Sequence, residues 1–98
     1  MRHELANNVL TIYLEGELNS SNSEEVEKEI EGYLAAGGFS AIVMDFDHLR
    51  YISSAGLRII ARIKQNYDDL TLVKMSQDVF EIFEMVGFND MIKIIKNR

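Results

Sequence analysis

The stretch Ala41-Ile-Val-Met-Asp-Phe-Asp-His-Leu-Arg-Tyr-Ile-Ser-Ser-Ala-Gly-Leu-Arg58 decides the fold. It opens on Ala41–Phe46, a short, nearly continuous apolar run of the kind expected for a strand covered on both faces. Asp47 to Ser53 reads as a polar loop, although it holds neither Gly nor Pro. A helical pattern follows to about Tyr67, with Leu57, Ile60, Ala61 and Ile63 on its apolar side. A strand that enters a helix through a polar connection is half of a parallel β-α-β unit. In such sheets the functional loops lie beyond the carboxyl ends of the strands. That rule draws attention to Ser53 and Ser54, where the connection meets the helix.

Outward from this stretch the same alternation continues. Val9 to Leu14 reads as a strand, with Leu10, Ile12 and Leu14 on one face and Thr11 and Tyr13 on the other. Glu15-Gly16-Glu17 closes it, and the polar stretch Ser20-Ser21-Asn22-Ser23 leads to a helix carrying Val26, Ile30, Tyr33 and Leu34. Ser23 is the expected N-cap and Gly37–Gly38 the stop. Toward the C-terminus, Leu70 to Met75 reads as a strand. Ser76 or Asp78 caps a third helix with Val79, Phe83 and Val86 at i, i+4 and i+7, and Gly87 ends it. Ile92 to Ile95 is a last strand, and an additional short one fits near Glu4 and Leu5. Strands alternating with helices imply an α/β domain with a mainly parallel sheet and right-handed crossovers. There is no linker or repeat, so residues 1–98 are expected to form one domain.

Composition narrows the function. The 98 residues hold no Cys and no Pro, with a net charge of −6. A chain of this size buries about 65% of its unfolded surface, enough for one core but not for a two-lobed enclosed active site. The lack of Cys excludes disulfides, thiolate metal sites and cysteine nucleophiles. The acidic balance argues against nucleic acid, whose recognition needs clustered Lys and Arg. No apolar run approaches the ~20 residues that span a bilayer, and no leader-like segment follows Met1, so a cytoplasmic location without membrane association is expected. Five glutamates, Glu24, Glu25, Glu27, Glu29 and Glu31, against Lys28, concentrate the negative charge. Lys93, Lys96 and Arg98 make the end basic. Both read as solvated surface.

Residue chemistry offers few catalytic options. A serine at a helix start is first of all an N-cap, accepting hydrogen bonds from free backbone N–H groups. The same N–H groups and positive potential also tolerate a phosphoryl group, which adds about −1.5 to −2 charges at one surface point. A hydrolytic Ser54 with His48 as base lacks the G-x-S-x-G elbow, because Ile52 stands at the first Gly position. Asp45, Asp47 and His48 read as a strand end and polar turn, since nothing else has metal-ligand spacing. Gly37–Gly38 fits no nucleotide-binding loop. Phe80, Phe83, Met85 and Phe88 read mostly as core, with one or two left for a partner.

The quoted stretch resembles the signature of the STAS domain family, the anti-sigma factor antagonists: apolar strand, Asp, short connection, then Ser-x-Gly-Leu opening a helix. Leu14-Glu-Gly-Glu-Leu18 resembles the Gly-x-Leu element that ends the family's preceding strand. Val79 to Phe88 resembles its last core helix, ending in Val-Gly-Phe. The resemblance spans nearly the whole chain in the correct order. It implies a four- to five-stranded sheet with helices mainly on one side. It also implies a partner switch: the unphosphorylated antagonist binds an anti-sigma factor or related serine-kinase-fold protein, phosphorylation of one serine releases it, and a serine phosphatase resets it. ATP then belongs to the partner, and this chain needs no cofactor. The acceptor position falls on Ser54, with Ser53 the alternative. The implied docking face comprises Asn19, Ser20, Ser21, Asp47, Ser53, Ala55, Gly56, Leu57 and Arg58, on a chain expected to be monomeric. Two departures stand out: Ser53 and Asn19 occupy positions where the family often has Asp. They keep open a different role, a constitutive STAS subunit of a transport or signalling complex.

Overall fold

The computed structural model describes residues 1–96. Its elements are β1 (Arg2–Ala6), β2 (Val9–Leu18), α1 (Ser23–Ala36), β3 (Ala41–Ile52), α2 (Ser54–Asn66), β4 (Leu70–Met75), α3 (Gln77–Met85), a 3₁₀ turn at Phe88–Asp90 and β5 (Lys93–Lys96). The five strands lie in one sheet in the order β1-β2-β3-β4-β5. Only β1–β2 is antiparallel, and the other three pairings are parallel. The short strand expected near Glu4 is β1. Asn7 and Asn8 join it to β2 with φ of 54° and 65°, the left-handed pair of a tight hairpin turn, which Asn tolerates better than most residues.

Strand order equals chain order, so successive right-handed crossovers place the helices on one face. On that face Leu10, Ile12 and Leu14 lie beside Ile42, Met44 and Phe46, with Leu70 and Leu72 beyond. Ile30 of α1, Ile59, Ile60 and Ile63 of α2, and Val79 and Phe83 of α3 close over them. The Phe46 and Phe83 rings meet edge to face, their centroids 5.8 Å apart, a favoured aromatic geometry. The opposite face carries Thr11, Tyr13, Val43, Thr71 and Val73, all half-buried. There the Arg2 guanidinium lies 3.9 Å from the Tyr13 ring centroid, and the Tyr13 hydroxyl donates to Glu4 at 3.2 Å.

Several expectations are corrected. β2 does not close at Glu15-Gly16-Glu17 but continues to the buried Leu18. Gly16, at φ 72°, takes up a shift in register against β3, because glycine enters the left-handed region without a Cβ penalty. Asp47–Ser53 is not a loop: β3 extends through it to Ile52, anchored by Leu49 and Ile52 at 3% and 1% exposure. Ser23 is the first residue of α1, and its N-cap is Asn22. In α2 the core takes in Ile59 beside the expected Leu57, Ile60 and Ile63, while Ala61 is only half-buried. α3 ends at Met85, so Val86 lies outside it and is exposed. Phe83 is core, Phe80 and Phe88 are half-buried and Met85 is exposed. The last strand is Lys93–Lys96; Arg98 of the basic end lies outside the described residues.

Candidate functional site

The ends of β2 and β3 create the site. Leu18 pairs with Ile52, and the Ser53 N–H donates to the Leu18 carbonyl at 2.8 Å. This bond brings the turn after β2 alongside the start of α2. Asn19 organises that turn: its Oδ1 accepts from the Ser21 N–H at 3.0 Å, the Ser21 hydroxyl at 2.7 Å and the Asn22 N–H at 3.3 Å. Asn22 Oδ1 in return accepts from the Asn19 N–H at 2.9 Å. Ser20 and Ser21 are exposed as a result.

The two serines divide their tasks. Ser53 is the N-cap of α2, in extended conformation, and its Oγ accepts from the Gly56 N–H at 3.4 Å. Ser54 is the first helical residue and is exposed. The first turn of α2 contains no acidic residue, whereas α1 has Glu24 and Glu25 there and α3 has Asp78. The positive end of α2 therefore stands without a compensating side chain. Arg58, exposed and four residues on, shares the helical face of Ser54.

Gly56 explains why the motif needs a glycine. A Cβ built there lies 2.7 Å from Ile52 Cγ1 and 2.8 Å from Leu18 Cγ. The first turn of α2 is thus pressed onto the strand ends, and only hydrogen fits between them. Gly56 and Leu57 are buried, so they shape the site from below, while Ser54 and Arg58 present the surface and Ala55 is half-buried.

Asp47 is not brought to the α2 mouth. Extended strand separates it from Ile52, roughly 15 Å at the usual rise per residue. Its carboxylate instead meets His48 at 3.7 Å, and its N–H donates to the Asp45 carboxylate at 2.9 Å. His48 stands at the level of Glu15, several strand residues from Ser54 and exposed, so the two form no nucleophile–base pair. Asp45 is buried at 8% exposure, 3.8 Å from Lys74 Nζ. Lys74 has φ 58° at a register shift between β4 and β5, a strained position for a long side chain. This contact across β3 and β4 had no signal in the sequence. Neither did the exposed charges of the extended ribbon, Glu15, Glu17, His48 and Arg50, beyond the i, i+3 recurrence of Phe46, Leu49 and Ile52. Among the described residues no group of three or more His, Cys, Asp or Glu is placed to hold a metal, and no helix is long and apolar enough to cross a membrane.

The STAS domain family model matches residues 2–98, and the chain belongs to that family. BtrV of Bordetella bronchiseptica, assigned by name to the anti-sigma factor antagonists, is 33% identical over 94 residues, covering 92% of this chain and 80% of its own. A crystal structure from Thermotoga maritima, assigned to the same class, superposes with a TM-score of 0.87 at 19% identity, over 97% of this chain and 85% of its own. SpoIIAA superposes in its unphosphorylated form with a TM-score of 0.77 at 19% identity, over 95% of this chain and 85% of its own. The phosphorylated Bacillus SpoIIAA does so at 0.69 and 18%, over 95% and 88%. At these identities the structures establish a shared fold.

Proposed function

We propose that the protein is an anti-sigma factor antagonist of the partner-switching kind, a binding module with no catalytic role. Unphosphorylated, it docks an anti-sigma factor or related serine-kinase-fold protein through the α2 mouth. Phosphorylation of Ser54 by that partner, using the partner's ATP, ends the complex, and a serine phosphatase restores it.

The observation that carries this reading is the division of labour at the α2 start. Ser53 has its oxygen engaged as a cap, while Ser54 is exposed on a helix end that lacks acidic side chains. A phosphoryl group on Ser54 meets free N–H groups, a positive helix end and Arg58 one turn away, so the fold tolerates it. On the docking face, meanwhile, it adds charge and bulk. The chain's relatives support the same reading, since SpoIIAA is known in both phosphorylation states. Asn19, Ser20, Ser21 and Arg58 are the exposed or half-exposed neighbours that complete the face.

The experiment incubates the protein with its kinase-fold regulator and ATP and maps the phosphate by mass spectrometry. Phosphate on Ser54, tight partner binding by Ser54→Ala and lost binding by Ser54→Asp are expected. Absence of modification at Ser54 and Ser53, with both variants binding equally, refutes the switch. That result favours the second reading, a constitutive STAS subunit. Its supporting observation is that Ser53 and Asn19 stand where the family often has Asp, and both are committed here to local hydrogen bonds.

A further inference from the structure

The sheet carries its helices on one face, and the other face is open. Residues paired across neighbouring strands share a face, so the register defines what the open face presents. One row runs Glu4, Thr11, Val43, Thr71, Lys93 from edge to edge. The next runs Arg2, Tyr13, Asp45, Val73, Ile95. Thr11, Val43, Thr71 and Val73 stay partly exposed, and Ile95 is 50% exposed.

The first row is antisymmetric about Val43. Read from either edge it is charge, threonine, valine, threonine, charge, with the sign of the charge reversed. Neither end is spent within the chain. Among the described residues, Glu4 meets the Tyr13 hydroxyl at 3.2 Å but no cation within ion-pair distance, and Lys93 meets no carboxylate. A two-fold axis that runs along the strands and passes over β3 lays this face on a second copy of itself. It sets β1 against β5 of the second copy, so Glu4 meets Lys93 twice, Thr11 meets Thr71 twice and Val43 meets Val43. In the neighbouring row Tyr13 faces Val73, and Arg2, held 3.9 Å from the Tyr13 ring centroid, faces Ile95. The two Asp45 carboxylates also face each other, each 8% exposed and accompanied by its own Lys74 at 3.8 Å. The other two-fold arrangement, about an axis along the first row, sets Glu4 against Glu4 and Lys93 against Lys93, and like charges disfavour it. Charge therefore selects both the occupant and its orientation. Two sheets laid together in this way match the aligned packing of a sandwich.

We propose that the open sheet face is the interface of a symmetric dimer of this chain, in place of the monomer expected from the sequence. Five strands about 4.8 Å apart and five residues of about 3.4 Å each give roughly 400 Å² of face per copy. An interface of that size is weak and forms at high concentration. It leaves the helical layer free. Because the axis runs along the strands, both α2 mouths point the same way, and one assembly presents two of them.

Analytical ultracentrifugation of the intact protein tests this. The weight-average mass is expected to rise from one chain toward two between about 10 µM and about 1 mM, the range of a weak interface. The methyl resonances of Val43, Val73 and Ile95 shift over the same range. Glu4→Lys and Lys93→Glu each weaken the dimer by about fivefold or more, because each places like charges opposite one another at two symmetric points. The double variant restores opposite charges and returns to within about twofold of the parent. Both side chains are exposed, so the substitutions spare the fold. A chain that stays monomeric at about 1 mM overturns the proposal. So do concentration-dependent shifts confined to the helical layer, single variants that dimerise like the parent, or a double variant no better than the singles.

Discussion

Replacing Gly56 by alanine sets a core clash against a helix preference. The new methyl lies 2.7 Å from Ile52 Cγ1, 2.8 Å from Leu18 Cγ and 3.1 Å from Leu18 Cδ2. Both neighbours are core residues, at 1% and 2% exposure, and a Leu Cγ is a branch point rather than a movable tip. With contacts this short against core atoms, the cost of the added methyl falls in the upper part of the overpacking range, about 2–3 kcal/mol. Alanine returns up to about 1 kcal/mol over glycine through its helix propensity. The expected net loss is therefore about 1–2 kcal/mol, or roughly 4–16 °C in Tm for a domain of this size. Gly32→Ala is the matched control. Gly32 lies within α1, is exposed, and has open space where its Cβ would stand, so propensity alone acts and stability rises by about 0.5–1 kcal/mol. Urea titration followed by far-ultraviolet circular dichroism measures both variants. The reasoning is refuted if Gly56→Ala matches or exceeds the parent, or if Gly32→Ala falls as far as Gly56→Ala. The loss should also carry into function, because α2 must move off the strand ends and take Ser54 with it.

Four smaller predictions can be tested beside it. Ser53→Ala removes the α2 cap and lowers stability by about 0.5–1 kcal/mol, the lower part of the N-cap range given its long hydrogen bond, while Ser54 remains modifiable by mass spectrometry. Asn8→Gly, at φ 65° in the β1–β2 turn, raises thermal stability by roughly 0.5–1 kcal/mol, since glycine is the preferred second residue of such turns. Lys74→Gly relieves a left-handed lysine, a gain of about 1–2 kcal/mol. It gives up an ion pair worth about 0–1 kcal/mol, so denaturation midpoints should rise or hold. The Met1 α-amino group and the Tyr33 hydroxyl, each 2.9 Å from Glu29 Oε2, hold the Glu29 carboxyl below its ordinary pKa. The stabilisation is present above the ordinary carboxylate pKa and is lost as pH falls through the lowered folded value. Glu29→Gln should therefore lower the neutral part of the stability profile and flatten its acid limb, the variant and parent profiles meeting below the lowered carboxyl pKa.

The alternation of strands and helices was legible because each buried face obeys its own period. Leu10, Ile12 and Leu14 alternate, and Leu57, Ile60 and Ile63 follow a helical stripe. The extension of β3 was not legible for the same reason. Past Phe46 the buried positions fall at Leu49 and Ile52, a spacing of three, since irregular pairing with β2 breaks the two-residue period. With Asp47, His48 and Arg50 in between, the segment looks like a polar loop. The continuation of β2 was hidden similarly, because Gly16 reads as a stop when it is in fact a bulge. At the site, the Ser53–Ser54 pair and its glycine were visible as a motif. Which serine caps and which is exposed follows only from the backbone conformation. The distance of Asp47 from that pair follows from the strand no pattern announced.

The order of the sheet has a consequence for how the molecule comes into being. Each strand lies beside the one synthesised immediately before it, so no strand must wait for a distant segment to find its neighbour. The β1–β2 hairpin can close first, and every following β-strand seals the open edge left by its predecessor. Each parallel pairing still closes over a helix, a separation of 21 to 34 residues, but none reaches past the neighbouring strand, so each new edge waits only for the next helix and strand before it is covered. The strand ends and helix turn that carry Ser54 are all encoded by residue 66. The regulatory end of the protein can therefore take shape while the last third of the chain is still being made.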